Sequence, residues 1–312
     1  MSKLKVGFLT TFNAPCGIAD YARNLAREIR ILGNDVVVLG NLPYGSGEVD
    51  NVNEFEVHKV FEVEIHTGKQ FFDFEMIYGI IDKIDVLHIQ FESAIYTRSL
   101  LSTLLKEIKG KIPIVVTIHS SCNWLDSDFD AITTPVKKLA EMNNFIWIPH
   151  GIPEFPKIER PIDLVVSSIG LGRNMDDIVV NTIKQIESDI GRKIEFITSY
   201  GHHKWLTQNE LFEFLKKSRV VSLYYPPVDA LVSSSACALS LGSYRPVIVS
   251  ETNWFGEYDS NIVLRSNAEN LYNNIKKALL EDYNAENVDK LKKTRAWNVL
   301  AKQYNDVYEI IG

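Results

Sequence analysis

The chain has 312 residues, 46% hydrophobic and 23% charged, a balance that suits a folded protein large enough for two domains and excludes a disordered one. Its formal net charge of -7 argues against a general nucleic-acid binder, which needs a basic surface to neutralise phosphates. Cys16, Cys122 and Cys237 are widely spaced with no CxxC pair, which speaks against a disulfide framework or a zinc site and for a reducing cytoplasm.

From the N-terminus onward, short β-branched runs alternate with helical patterns. VGFLT (6–10) reads as a buried strand, and Pro15, Cys16 and Gly17 turn the chain into a helix from Ile18. Ile18, Tyr21, Leu25, Ile29 and Leu32 form its apolar stripe, with Asp20, Arg23, Arg27 and Glu28 elsewhere, and Gly33 ends it. DVVVLG, DVLHIQF, a helix near Leu100, PIVVTIHS, DAITT, a further helix and FIWIP continue the rhythm, which predicts βα repeats around a parallel sheet buried on both faces. No apolar segment of signal-peptide form follows Met1, and no run approaches the roughly 20 residues of a membrane span, so neither secretion nor integration is expected. Residues 99–112 (SLLSTLLKEIKGKI) combine an apolar face with lysines; this predicts a helix packed on the sheet, with peripheral contact at a membrane's inner face as the alternative.

In HGIPEFPKIERPID (150–163), Pro153, Pro156 and Pro161 forbid a helix and remove ladder donors, which reads as an interdomain linker. The pattern then restarts with DLVVSSIG, a helix over 175–190, KIEFITS, a helix over 208–217, RVVSLYY, a helix over 236–241, RPVIVS and NIVLR. Two Rossmann-like domains are expected, 1–155 and 160–296, with a C-terminal helix at about 297–312 packing back on the first.

Ligands of open parallel sheets bind beyond the carboxyl ends of the strands, so the residues there are the candidates. Gly17 opens the first helix, where free amides favour an anion and a glycine allows close approach; a tight turn explains it equally well. His119 and Glu92 each end a strand, a position that a structural histidine or a surface acid also occupies. In SSIGLGRNMDD, a second glycine turn carries Arg173, suited to bidentate capture of phosphate oxygens. Ser233, Ser234 and Ser235 stand at a helix start, where they read as caps, as diphosphate donors, or as both.

The order of these pieces resembles the GT-B glycosyltransferases, specifically the family 4 group of retaining enzymes. The resemblance is carried by PCGIADYARNL, DVLHIQFES, PIVVTIHSS, DAITTPVKKLAEMNNFIWIPHGIP, SSIGLGRNMDD and YYPPVDALVSSSACALSLGSYRPVIVSETNWF, and it reaches from the first strand to about Glu257. It implies an α/β protein of two Rossmann-like domains facing across a cleft, with the nucleotide-sugar donor held mainly by the second and the acceptor mainly by the first. It further implies Gly17 beside the donor diphosphate, His119 near the transferring sugar, Arg173 on the phosphates and Glu92 toward a glycan, lipid or small-molecule acceptor. Two departures stand out. DALVSSSACALSLGSYRP lacks the paired glutamates common in the family, and GRNMDDIVV lacks the lysine that often follows the arginine, for which Lys204 is the candidate substitute. A catalytically degenerate sugar-nucleotide binder and a nucleotide-sugar epimerase are therefore alternatives to the transferase. No cofactor or metal is expected, since no acidic cluster of DxD type ends a strand; DSDFD (126–130) reads as a loop.

Overall fold

The computed structural model describes residues 3–41, 54–64, 69–121, 129–170, 174–200 and 205–312. The chain forms two compact units, Met1–Pro149 with Trp297–Gly312, and His150–Ala296.

In the first unit, the strands are β1 (Lys5–Leu9), β2 (Asp35–Asn41), β3 (Glu56–Glu64), β4 (Lys69–Phe72), β5 (Val86–Phe91), β6 (Ile114–Ile118), β7 (Ala131–Thr134) and β8 (Ile146–Trp147). They lie in the order β4-β3-β2-β1-β5-β6-β7-β8, and all neighbours are parallel except β4, which closes one edge antiparallel to β3. The sequence reading omits β3, β4 and the helix α2 (Phe74–Ile81), because charged residues interrupt EVHKVFEVE and mask its strand period.

The helix α1 (Gly17–Ile31) buries Tyr21, Leu25 and Ile29 as its stripe predicts, but it stops one residue before Leu32, which is left exposed. Cys16, not a hydroxyl residue, is its N-cap, the sulfur accepting from the Ala19 amide at 3.4 Å. Also in this unit are α3 (Arg98–Ile108) and α4 (Lys137–Asn143). The apolar face of α3, Leu101, Leu104, Leu105 and Ile108, is buried, so that helix has its apolar side inside the protein rather than available to a membrane. No described helix is long and apolar enough to cross a membrane.

The second unit contains β9 (Val165–Gly170), α5 (Asp176–Ile190), β10 (Glu195–Tyr200), α6 (Gln208–Lys216), β11 (Val220–Leu223), α7 (Ser235–Gly242), β12 (Val247–Ser250), β13 (Leu264–Ser266), α8 (Leu271–Leu280) and α9 (Glu286–Arg295). Its parallel sheet runs β10-β9-β11-β12-β13. Alternation along the strands feeds two cores: Val221, Leu223, Val247 and Val249 meet Leu215 of α6 with Cys237 and Leu241 of α7, while Val220 and Ile248 meet Val179 and Ile183 of α5 with Ile275 of α8.

Residues 150–163, read from the sequence as a linker, are hydrogen-bonded into this unit. The Ile152 amide donates to Arg295 O at 2.8 Å and pairs beside Ala296. Phe155 stacks on Phe212 with ring centroids 4.8 Å apart. The prolines deny the segment a ladder, yet its carbonyls still accept: Arg245 Nη2 donates to Glu159 O at 3.1 Å and Arg219 Nη1 to Pro161 O at 2.6 Å.

The last helix, α10 (Trp297–Ile311), belongs to the first unit. Leu300, Ala301, Tyr304 and Tyr308 share a core with Tyr21, Leu25 and Ile29 of α1 and with Val6, Phe8, Val36, Val86 and Val115 of the sheet.

One contact in the second unit gives a direct test of the packing. A Cβ on Gly242, at the end of α7, would sit 2.7 Å from Pro153 Cγ and 3.0 Å from Pro153 O. Gly242→Ala is expected to destabilise the protein by about 1–3 kcal/mol, the usual range for overpacking, read as a lowered urea midpoint at unchanged slope.

Candidate functional site

The parallel topology gathers the first unit's candidates at one end of its sheet. His119 and Glu92 directly follow the adjacent strands β6 and β5, and the His119 amide extends their ladder by donating to Phe91 O at 3.1 Å. The Glu92 carboxylate accepts from Ser120 Oγ at 2.8 Å and from the Ser93 amide at 3.0 Å, which pins it beside the residue that follows His119. The backbone of Gly17 lies outside the left-handed region, so its conformation does not itself demand glycine. That region is taken instead by Asn13 at φ 52°, whose Oδ1 accepts from Arg23 Nη2 at 2.9 Å. Thr11 Oγ1 and Cys16 Sγ, 3.1 Å apart, tie the turn together.

Beneath His119 lies a set of buried polar groups that sequence reasoning missed. His119 Nε2 donates to Gln90 Oε1 at 2.8 Å, and the Gln90 amide nitrogen donates to His88 Nε2 at 3.0 Å. His88 Nδ1 and Tyr308 Oη are 2.6 Å apart, and Thr117 Oγ1 is 2.7 Å from His88 Nε2. Hydroxyls continue the network from Thr117 to Thr133 at 2.7 Å and to Tyr304 at 3.1 Å, and from Tyr304 to Tyr21 at 2.7 Å. The Tyr21 ring meets that of His119 edge-on, with centroids 4.9 Å apart. His88 and Gln90 are wholly buried, and burial pushes the His88 pKa down to about 3, so the ring is neutral. The signal available in the sequence is the polar alternation His88, Gln90, Glu92 and Thr117, His119 in strands expected to be apolar on both faces.

In the second unit, Ser234 is the N-cap of α7, its Oγ accepting from the Cys237 amide at 3.3 Å, and Ser235 is the first helical residue. The Ser233 hydroxyl donates to the Glu257 carboxylate. Two of the three serine hydroxyls are thus engaged within the fold, and the groups that the turn holds out are the amides of the first helical turn, which lack intrahelical acceptors. Glu257 forms a buried ion pair with Arg295 at 3.3 Å, and Arg295 lies over the Tyr258 ring with 5.3 Å to its centroid. Burial pushes the Glu257 carboxyl up, against the opposing pull of Arg295. Nearby His150 is held down to about 4, first by burial and then by the Arg295 charge, while a backbone hydrogen bond at Ser233 works the other way. Glu257 and Arg295 carried no recognisable signal, since they are 38 residues apart and neither ends a strand.

Arg173 and Lys204 lie outside the described residues, as do Cys122 and the first residues of DSDFD. Gly170, before the Arg173 turn, has φ 130°, and a Cβ there would sit 2.6 Å from Tyr225 Oη, so that glycine is required by both conformation and space. Among the described residues, no group of three or more His, Cys, Asp or Glu side chains gathers as metal ligands.

No protein-family model matches the sequence, and no curated protein matches it. Solved structures do resemble its fold. A glycosyltransferase from Rickettsia africae ESF-5 aligns with a TM-score of 0.65 at 10% identity, covering 100% of this chain and 99% of that one. An alpha-glucosyltransferase, solved with UDP and a 13-mer DNA containing a central A:G mismatch, gives 0.67 at 10% identity, with 98% and 100% covered. WaaG, a glycosyltransferase involved in lipopolysaccharide biosynthesis, gives 0.55 at 14% identity, with 98% and 99% covered. The two-unit α/β architecture with parallel sheets is the fold of the GT-B glycosyltransferases.

The depressed His88 pKa has a measurable consequence. An unfolded histidine binds a proton near pH 6.5, whereas folded His88 binds one only near pH 3, so the unfolded state takes up more protons between these values and stability falls as pH drops through that window. From pH 7 to pH 5 this one ring is expected to remove about 2 kcal/mol. Urea denaturation at the two pH values checks it, with a smaller acid loss expected in His88→Gln.

Proposed function

We propose that the protein is a glycosyltransferase that moves a hexose from a nucleotide diphosphate sugar to a hydroxyl of a glycan, lipid or small molecule, with retention of configuration. The observation that carries this reading is the pairing of His119 and Glu92 on adjacent strand ends of a GT-B fold, with His119 anchored from below by a continuous buried network. A nucleotide-sugar needs its diphosphate neutralised and its leaving-group charge held as the glycosidic bond breaks. The Gly17 amide, the amide of Ser235 at the start of α7, Arg173 and Lys204 are assigned to that task. The structure of the alpha-glucosyltransferase with UDP makes a uridine nucleotide the first candidate donor.

His119, held through Nε2 by Gln90 Oε1, is assigned to the transferring sugar, and Glu92 to the acceptor hydroxyl. In retaining transfer of this kind, the departing phosphate helps to deprotonate the attacking hydroxyl, so the protein acts mainly by holding reactants and stabilising charge. A Glu92 already accepting from Ser93 and Ser120 is suited to fixing a hydroxyl in place. The proposed reaction uses no metal, because cationic and amide donors take over the neutralisation of the diphosphate.

The test begins with melting curves in UDP, GDP, ADP and their hexose conjugates. Ligand at 100 times Kd that binds only the native state adds about 2.7 kcal/mol, and one base is expected to stand out. Transfer from that donor to an acceptor panel should then persist in EDTA and fall at least about 100-fold in Arg173→Ala and His119→Ala with the fold retained, the scale of losing one charge-stabilising group. Binding without any product would favour the degenerate binder, and epimerised donor without acceptor would favour the epimerase.

A further inference from the structure

Core contacts of Cys237, Ala238 and Leu241 seat the body of α7, but they do not by themselves set the angle at which the chain enters its first turn. Residues 254–258 set that angle. The Ser234 amide donates to Trp254 O at 3.1 Å, and the Ser233 hydroxyl donates to Glu257 Oε1. Glu257 is itself held at two points, since Arg295 Nη1 donates to its Oε2 and Arg295 Nη2 to its backbone oxygen, both at 3.3 Å. The Tyr258 hydroxyl also reaches this carboxylate, and the His150 ring bonds the Ser233 backbone. Arg265 Nη2 fastens the rest of the segment, donating to Phe255 O at 2.6 Å and to Tyr258 O at 2.7 Å.

A carboxylate suits this place because it accepts at two oxygens and donates at neither. One oxygen serves Arg295 and the other takes the serine proton, so the direction of the Ser233 bond is set by the charge beside it. An amide in the same position has a single acceptor, which the guanidinium claims, and it turns an N–H toward Ser233 instead. A buried ion pair adds little stability over apolar side chains of the same volume. What Glu257 supplies, with its side chain 3% exposed, is a fixed point for the turn. We propose that Glu257 is a positioning residue for donor binding: through the Ser233 hydroxyl it orients the first turn of α7, so that the Ser235 amide presents its N–H to the donor diphosphate. Ser233 holds the turn and does not itself contact phosphate.

This role rests on the nucleotide-sugar reading, and nucleotide binding to the full chain separates the two. Titration with UDP, GDP and ADP identifies the base that binds. The probes are then that nucleoside diphosphate and its parent nucleoside, and the ratio of their dissociation constants measures what the diphosphate contributes. A change that only loosens the protein weakens both ligands together, whereas a misdirected amide weakens the diphosphate alone. Ser233→Ala and Glu257→Gln are each expected to lower the selectivity for diphosphate over nucleoside about tenfold at unchanged nucleoside affinity, and Ser233→Thr to restore it. Because the two residues act as one unit, the double variant loses no more than either single variant. Wild-type selectivity in Ser233→Ala overturns the proposal, and so do losses that add in the double variant, which place the Ser233 hydroxyl directly on phosphate. Should Glu257→Gln not fold, Glu257→Asp keeps the charge beside Arg295 and withdraws the carboxylate from Ser233 by one methylene; wild-type selectivity there overturns the proposal equally. A wild-type chain that binds no nucleoside diphosphate overturns the donor reading and this role with it, whereas selectivity that survives in every variant overturns this role alone.

Discussion

Polar side chains that water does not reach must find partners inside the protein, and in the first unit that requirement ties together parts of the chain hundreds of residues apart. His88, Gln90, Thr117 and Thr133 project from three neighbouring strands into a core otherwise built of Val6, Phe8, Val36, Val86 and Val115. Left unpaired, each would cost about 1–3 kcal/mol. Tyr21 from α1 and Tyr304 and Tyr308 from α10 supply the missing hydroxyls while burying large rings beside them. This is why Trp297–Gly312 folds with the first unit rather than with the sequence that immediately precedes it. The same groups give His119 a rigid support, so stability and site geometry come from a single set of bonds.

The second unit solves a related problem with cations. Three arginines, Arg160, Arg219 and Arg245, donate to carbonyls at the ends of α6 and α8 and along residues 150–163. Helix C-termini present unpaired carbonyls and the negative end of the dipole, so a guanidinium stabilises them without a carboxylate partner. Crowding has a cost: burial, together with its arginine neighbours, pulls the Arg160 pKa down to about 10. The return is that a proline-rich segment with no ladder of its own is fastened at several points. Its register is fixed further by Pro153 seated against Gly242.

Much of this was legible from the sequence, and the parts that were not share a cause. The strands β1, β2, β5 and β6 and the helix α1 followed from apolar runs and a 3.6-residue stripe, both local signals. β3 was missed because the charged residues in EVHKVFEVE blur its period, and β4 because four residues are too few to show one. The proline segment was misread as a linker because the arginines that hold it lie 58 and 86 residues away. His119 and Glu92 were visible as strand-end residues, but their support was not. Tyr308 is 220 residues from His88, and only the fold shows that the polar alternation of β5 points at it. Gly17 and Ser235 were legible as helix starts; Cys16 was not legible as a cap, since thiols rarely serve as one.

These features bear on how a fold can persist at 10% identity over 100% of the chain. In a parallel sheet, every strand delivers its following loop to the same edge, so topology alone brings those loops together whatever residues they carry. Where the groups held out at that edge are backbone amides, as at the starts of α1 and α7, almost any side chain that permits the turn will serve. Selection then falls on backbone geometry, which leaves weak traces in sequence: a glycine, a run of serines, a proline before a helix. The strong constraints move inward, to buried groups such as Gln90, held between His119 and His88, and Glu257, held by Arg295 and Ser233. On this view the residues most resistant to substitution lie one layer beneath the strand ends.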